Sequence, residues 1–195
     1  MKVAIVKYNA GNIFSVEYAL KRIGCSAVVT DDHELLRAAD KVIFPGVGEA
    51  STSMRYLRRH GLDTLIGSLK QPVLGVCIGL QLMCRHSEEG NVACLGIFDE
   101  QVKRFRSAVL KVPHMGWNTL QPEKDSPLFA GVPKDAYVYY VHSYYAAVGE
   151  HTVATTDYVQ PFSAALHKDN FYALQFHPEK SAAVGERILQ NFLNL

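Results

Sequence analysis

The chain has 195 residues, of which 48% are hydrophobic and 20% charged, and its formal net charge is +1. That length suits one domain, 1–195, with a sizeable core. The balanced charge, without a basic block, argues against nucleic acid or an anionic membrane surface as a partner, and no apolar stretch is long enough to span a bilayer.

The N-terminus, Met1-Lys2-Val3-Ala4-Ile5-Val6, reads as a buried strand from its first residues and lacks a cleavage-site pattern, so it is not a signal peptide. None of the four cysteines, Cys25, Cys77, Cys84 and Cys94, belongs to a C-x-x-C pair. The expectation is a cytoplasmic chain with free thiols and no metal site. After Gly11, the residues Ile13, Val16, Ala19, Leu20 and Ile23 recur at helical spacing, with Asn12 placed to cap that helix and Gly24 to end it. Ala27–Val29 and Val42-Ile43-Phe44 read as strands, the second stopped by Pro45-Gly46. A helical stretch broken near Gly61 follows. Val73–Val76 is the next strand, and Ile78–Cys84 starts a helix. This alternation predicts a mostly parallel sheet covered by helices on both faces. From Ile97 to Leu174 the pattern changes to short segments rich in Val, Tyr, Phe and Thr. Val102–Phe105, Tyr137–Val141 and Tyr172–Phe176 read as strands, some antiparallel. A helix over Ala182–Leu195 closes the chain, presenting Val184, Ile188, Leu189 and Phe192 on one face. The fold class is α/β.

Ligands of open α/β sheets gather at the carboxyl ends of the strands, and Cys77 sits at such an end. Gly75-Val76-Cys77-Ile78-Gly79 has the G-x-nucleophile-x-G form of a strand-to-helix elbow. The turn is sharp, so its neighbours must be small, and the backbone of the central residue is strained. The following helix start favours a thiolate, and the Ile78 N–H points towards a developing oxyanion. Against this stands a packing role, since isolated cysteines are usually buried and inert. Cys84, two turns on, reads as core. A nucleophilic cysteine needs a base and an orienting acid. In Leu174-Gln175-Phe176-His177-Pro178-Glu179-Lys180, Pro178 biases His177 towards extended backbone, which sets His177 and Glu179 on one face. That is Cys-His-acid logic. Pro45-Gly46-Val47-Gly48-Glu49 mimics part of a dinucleotide fingerprint, but its third glycine is missing and it follows a middle strand. A glycine-rich turn there can instead offer N–H groups to an oxyanion.

These pieces, in this order, resemble the class I (triad-type) glutamine amidotransferases. Within them the chain is similar to the glutaminase subunits of imidazole glycerol phosphate synthase, which act in histidine biosynthesis. The resemblance rests on Tyr8-Asn9-Ala10-Gly11-Asn12, Pro45-Gly46-Val47-Gly48, Gly75–Gln81, Ser87-Glu88-Glu89-Gly90, His114-Met115-Gly116-Trp117-Asn118, Val141-His142-Ser143-Tyr144-Tyr145 and Phe176–Ser181. It implies a central mostly parallel sheet with added antiparallel strands in the second half, and a triad of Cys77, His177 and Glu179. It also implies oxyanion donors at Val47, Gly48 and Ile78, and glutamine contacts at Gln81, Glu89, Ser143 and Tyr144. It implies no cofactor. The implied partner is a (β/α)8 barrel cyclase, joined in a heterodimer, which receives ammonia and makes imidazole glycerol phosphate and AICAR. Asn12, Met115, Trp117, Asn118, Tyr139 and Lys180 are the residues expected to face it. The resemblance further implies weak glutamine hydrolysis until the partner is bound. Lys7 and Glu49 depart from the family pattern beside the motifs. Two other readings compete: a different triad hydrolase on this scaffold, and a silent binding module.

Overall fold

The computed structural model describes residues 1–195. The first half runs β1 (Val3–Val6), α1 (Ile13–Arg22), β2 (Ala27–Thr30), α2 (His33–Arg37), β3 (Lys41–Phe44), α3 (Ala50–Arg59), α4 (Leu62–Ser68), β4 (Val73–Val76) and α5 (Ile78–Met83). The second half contributes β5 (His86–Ser87), β6 (Val92–Ala93), β7 (Gln101–Arg104), β8 (His114–Thr119), β9 (Gln121–Pro122), β10 (Tyr137–His142), β11 (Tyr144–Ala146), β12 (Thr152–Asp157), β13 (Pro161–Lys168), β14 (Phe171–Leu174) and the closing helix α6 (Ala182–Leu193). No helix is long and apolar enough to cross a membrane.

One eight-stranded sheet runs in the order β2-β1-β3-β4-β14-β13-β12-β9. Neighbours from β2 to β14 are parallel, and those from β14 to β9 are antiparallel. The sheet is thus parallel where the sequence alternates strand and helix, and antiparallel where short Val/Tyr/Phe/Thr segments take over. Side chains of a strand alternate between faces. Val3 and Ile5 accordingly join a core under α1 and α6, while Ala4 and Val6 join a second core under α3, α4 and α5. Two smaller sheets lie beyond: the antiparallel pair β8–β10, and a four-stranded sheet in the order β11-β7-β5-β6.

Four local expectations need correction. The extended backbone expected to set His177 and Glu179 on one face ends at His177, and Pro178–Lys180 forms a 3-10 turn. Asn12 does stand at the N-cap position of α1, but its backbone is left-handed (φ 68°) and its side chain makes no cap hydrogen bond. The strand expected at Tyr172–Phe176 runs Phe171–Leu174 instead. The chain leaves the β14–β4 pairing after Leu174: the Gln175 N–H donates to Ala164 O at 2.8 Å and the His177 N–H to Tyr139 O at 2.9 Å. The one-turn helix α2 has no counterpart in the sequence reading. It buries only Leu36, and Asp32 starts it by accepting from the Glu34 and Leu35 N–H groups. That is too little apolar periodicity to read in advance.

Candidate active site

Cys77 leaves β4 at φ 54° and ψ −108°, and α5 begins on the next residue. A non-glycine residue at this φ costs of order 1–3 kcal/mol and persists only where its surroundings dictate it. The surroundings here are crowded. A Cβ on Gly79 would stand 1.9 Å from Phe44 O, and one on Gly75 would stand 2.8 Å from Met83 Sδ and 3.0 Å from the Gly79 carbonyl carbon. Both glycines are required where helix crosses strand. The Cys77 N–H donates to Leu174 O at 2.8 Å, which fixes the elbow beside the end of β14. Cys84, by contrast, is fully buried and donates to Leu80 O, as a packing residue does.

Two residues past Gln175, the chain brings His177 to the same corner. His177 and Glu179 are completely buried, with His177 Nδ1 2.7 Å from Glu179 Oε1. The same oxygen accepts from Asn12 Nδ2 at 2.5 Å. Asn12, expected towards a partner, is thereby turned inward as a second donor to the acid. His177 Nε2 is buried and bonded to no protein group. Burial alone lowers the His177 pKa. The negative charge of Cys77, followed by the hydrogen bond and charge of Glu179, overcomes burial and raises it to about 10. Beside a Cys77 thiolate the imidazolium is thus the favoured form of His177. Ser181 braces this segment: its hydroxyl donates to His177 O and accepts from the Tyr139 N–H.

The Pro45–Gly48 turn lies opposite. Tyr8 donates its hydroxyl proton to Pro45 O at 2.8 Å, and burial, with the charge of Cys77 second, keeps that phenol protonated. Val47 O accepts from the Gly11 N–H at 3.2 Å, which pins the Val47–Gly48 peptide from outside. Gly48 has φ 145°. The N–H groups of Val47 and Gly48 donate to nothing within the chain. Glu49 explains its own departure from the pattern: it is the N-cap of α3, and its carboxylate accepts from the Ser51 and Thr52 N–H groups.

A cleft of about 300 Å³ opens between these parts. Val47, Gly48, Cys77, Ile78, Gln81, Glu89, Ser143 and Tyr144 all line it, together with Pro113, Val141 and His142. Every expected oxyanion and substrate residue thus reaches one cavity. Glu89 is tied to the start of α3, accepting from the Ala50 N–H at 2.8 Å. Burial is the main cause raising its pKa, with neighbouring Glu49 adding to it. A bound cation would relieve both effects.

The residues expected at a partner face divide. Met115 and Trp117 are exposed, and Trp117 meets Tyr139 edge-on, with Lys180 over the Tyr139 ring. Asn118 is turned inward, donating to Asp157 O at 2.8 Å. Sequence reasoning missed the Gln175 amide, whose Nε2 lies 3.9 Å from Cys77 Sγ. Its position two residues before His177, just past the end of β14, was the available signal. No group of three or more His, Cys, Asp or Glu side chains converges as metal ligands would.

The whole arrangement can be compared with known proteins. The family model of the class I glutamine amidotransferases matches residues 5–195. The imidazole glycerol phosphate synthase subunit HisH of Bacteroides fragilis is 67% identical over 197 residues, covering all of both chains. The same subunit of Bacteroides thetaiotaomicron is 64% identical over equal coverage, and that of Idiomarina loihiensis 47% identical across all of this chain and 98% of its own. At the level of fold, the crystal structure of a glutamine amidotransferase superposes with a TM-score of 0.76 at 19% identity, over all of this chain and 98% of that one. PurLQS from Thermotoga maritima gives 0.75 at 16% identity, over 99% and 97%. With sequence matched end to end and the fold matched independently, the chain belongs to the class I glutamine amidotransferase family, on the branch of the imidazole glycerol phosphate synthase HisH subunits.

Proposed function

We propose that this chain is the glutaminase subunit of imidazole glycerol phosphate synthase, and that Cys77, His177 and Glu179 are its catalytic triad. The observation that carries the reading is the buried His177–Glu179 pair beside a strained cysteine that lines the cleft. In the resting pair the proton sits on His177. The Cys77 thiolate attacks the side-chain amide carbon of glutamine, and the N–H groups of Ile78 and the Val47–Gly48 segment receive the oxyanion. His177 passes its Nε2 proton to the departing nitrogen, and ammonia leaves a glutamyl thioester. Nε2 then takes a proton from water, whose oxygen attacks the thioester, and glutamate departs with the thiolate and imidazolium restored. Glu179 holds the ring throughout. Glu89 suits the substrate ammonium, while Gln81, Ser143 and Tyr144 complete its contacts.

Ammonia released into neutral water takes up a proton and ceases to be a nucleophile, so the product requires a shielded acceptor. A (β/α)8 barrel cyclase in a heterodimer meets that need. The exposed Met115 and Trp117, with Tyr139 and Lys180 beside them, have the aromatic and cationic character of an interface centre. The test is glutamine hydrolysis by the chain alone, with the cyclase, and with the cyclase and its nucleotide ligand. Hydrolysis is expected to rise in that order. Cys77→Ser is expected to lower it by at least about 10³-fold. Hydrolysis surviving in Cys77→Ser overturns the nucleophile. Failure to associate with any barrel cyclase overturns the partner.

A further inference from the structure

Beside the cleft, two more histidines are buried with no part in the triad, and His142 lines it. His142 Nδ1 lies 2.7 Å from Tyr144 O, and His142 Nε2 lies 3.0 Å from His114 Nδ1. His114 Nε2 in turn lies 3.3 Å from Asn118 Nδ2. The sense of each bond follows from the first. A carbonyl only accepts, so His142 carries its proton on Nδ1 and its Nε2 is an acceptor. His114 must then donate from Nδ1, which leaves its own Nε2 to accept from the Asn118 amide.

The Tyr144 carbonyl also fixes a second arm. It accepts from Gln81 Nε2 at 2.9 Å, and Gln81 Nε2 donates again to Gln175 Oε1 at 3.0 Å. The orientation of both amides is thereby set. Gln81 Oε1, which accepts nothing within the chain, is left for the cleft, and Gln175 Nε2 points at Cys77 Sγ. Rings hold the histidines in place: His114 stacks between Tyr140, at 4.8 Å, and Tyr158, at 4.0 Å.

Strand alternation joins this chain of bonds to the outer surface. On β8, His114 and Asn118 turn inward while Met115 and Trp117 turn out. His142 pairs with His114 across β10, and Tyr139 pairs with Trp117. The β8–β10 pair also holds the triad from its other end, since Tyr139 O accepts from the His177 N–H.

We propose that His114 and His142 are positioning residues, a tautomer-locked relay that sets the Tyr144 carbonyl and, through it, the Gln81 and Gln175 amides, and so couples the outer face of the β8–β10 pair to the glutamine pocket. Burial supports the uncharged relay the bonds require, pushing His114 down to about 4 and His142 to about 3. This rests on the glutaminase reading above.

Two measurements test it. Long-range proton–nitrogen correlation spectra of the ¹⁵N-histidine-labelled chain at pH 7 are expected to show both rings protonated on Nδ1. A ring protonated on Nε2 at either position overturns the relay, whatever the activity. In the complex with the cyclase, His142→Asn places an amide donor near the Nδ1 position, whereas His142→Phe keeps the aromatic volume and loses the donor. His142→Phe is expected to raise the glutamine KM about tenfold, with Cys77 alkylation by iodoacetamide within about threefold of native. His142→Asn is expected to stay within about threefold in KM. A native KM in His142→Phe, or equal loss in both variants, overturns the proposal. A native complex that fails to hydrolyse glutamine overturns the glutaminase reading instead, and leaves the tautomer result to decide the relay.

Discussion

Two walls of one site bury histidines, and the histidines end in opposite states. His177 is pushed up to about 10, while His142 and His114 are pushed down to about 3 and 4. Desolvation acts in the same direction on all three, disfavouring the cation. The difference lies in the neighbours. His177 faces the charge of Cys77 and the Glu179 carboxylate. His142 faces a carbonyl and another imidazole, and the charge of His177 pushes it down further. One wall is built to carry charge and move a proton. The other is built to stay neutral and hold direction. Burial alone therefore does not predict the protonation of a histidine here; the list of partners does.

The comparison breaks first at Glu179. Glu179→Gln keeps the shape and removes the anion, so the His177 pKa falls towards that of the opposite wall. Glutamine turnover in the complex is expected to drop by about 10²–10⁴-fold, because the ring loses both its orientation and its stabilising charge. Turnover within a few-fold of native would show that Glu179 is not the orienting acid. Asn12 offers a smaller perturbation. Asn12→Ala removes the second donor to Glu179 Oε1. Loss of one charge-assisted hydrogen bond predicts about a tenfold fall in kcat. If Asn12 acted only at a partner surface, cyclase affinity would change and kcat at saturating cyclase would not.

How much of this could be read from the sequence depends on the range of the contact. The elbow was legible because its turn is local: Gly75 is forced by Met83 and Gly79 of the helix just after it, while the demand on Gly79 comes from Phe44 of the neighbouring strand β3. The pairing of His177 with Glu179 was legible as two neighbours in sequence but not in its geometry: the extended backbone expected there ends at His177, and the pair meets across the 3-10 turn Pro178–Lys180. The relay was not legible. His114 and His142 are 28 positions apart and meet only through the β8–β10 register. Asn12 was read as a cap because its spacing to α1 was visible, and as an interface residue through the family resemblance, whereas its contact with Glu179, 167 positions away, was not visible. Glu49 was read as a departure and proves to be a helix cap, whose side chain answers to the N–H groups just after it.

The finest test of the two walls is the pH dependence of folding stability. For His177 the folded pKa, about 10, lies above the unfolded value of about 6.5, so its contribution is complete below about pH 6.5 and is lost as pH rises towards 10. For His142 and His114 the folded values lie below 6.5, so their contribution is complete above it and is lost as pH falls towards 4 and then 3. The triad wall supplies the alkaline limb of the stability curve and the β8–β10 wall the acid limb. Each histidine changes stability by at most about 1.4 kcal/mol per pH unit. Cys77→Ala removes the largest cause raising the His177 pKa. Urea unfolding of native and Cys77→Ala chains from pH 5 to 9 is therefore expected to show a flattened alkaline limb in the variant and an unchanged acid limb. Curves that coincide above pH 7 would place the charge on His177 in some other source than the elbow, and the two walls would no longer differ for the reason given.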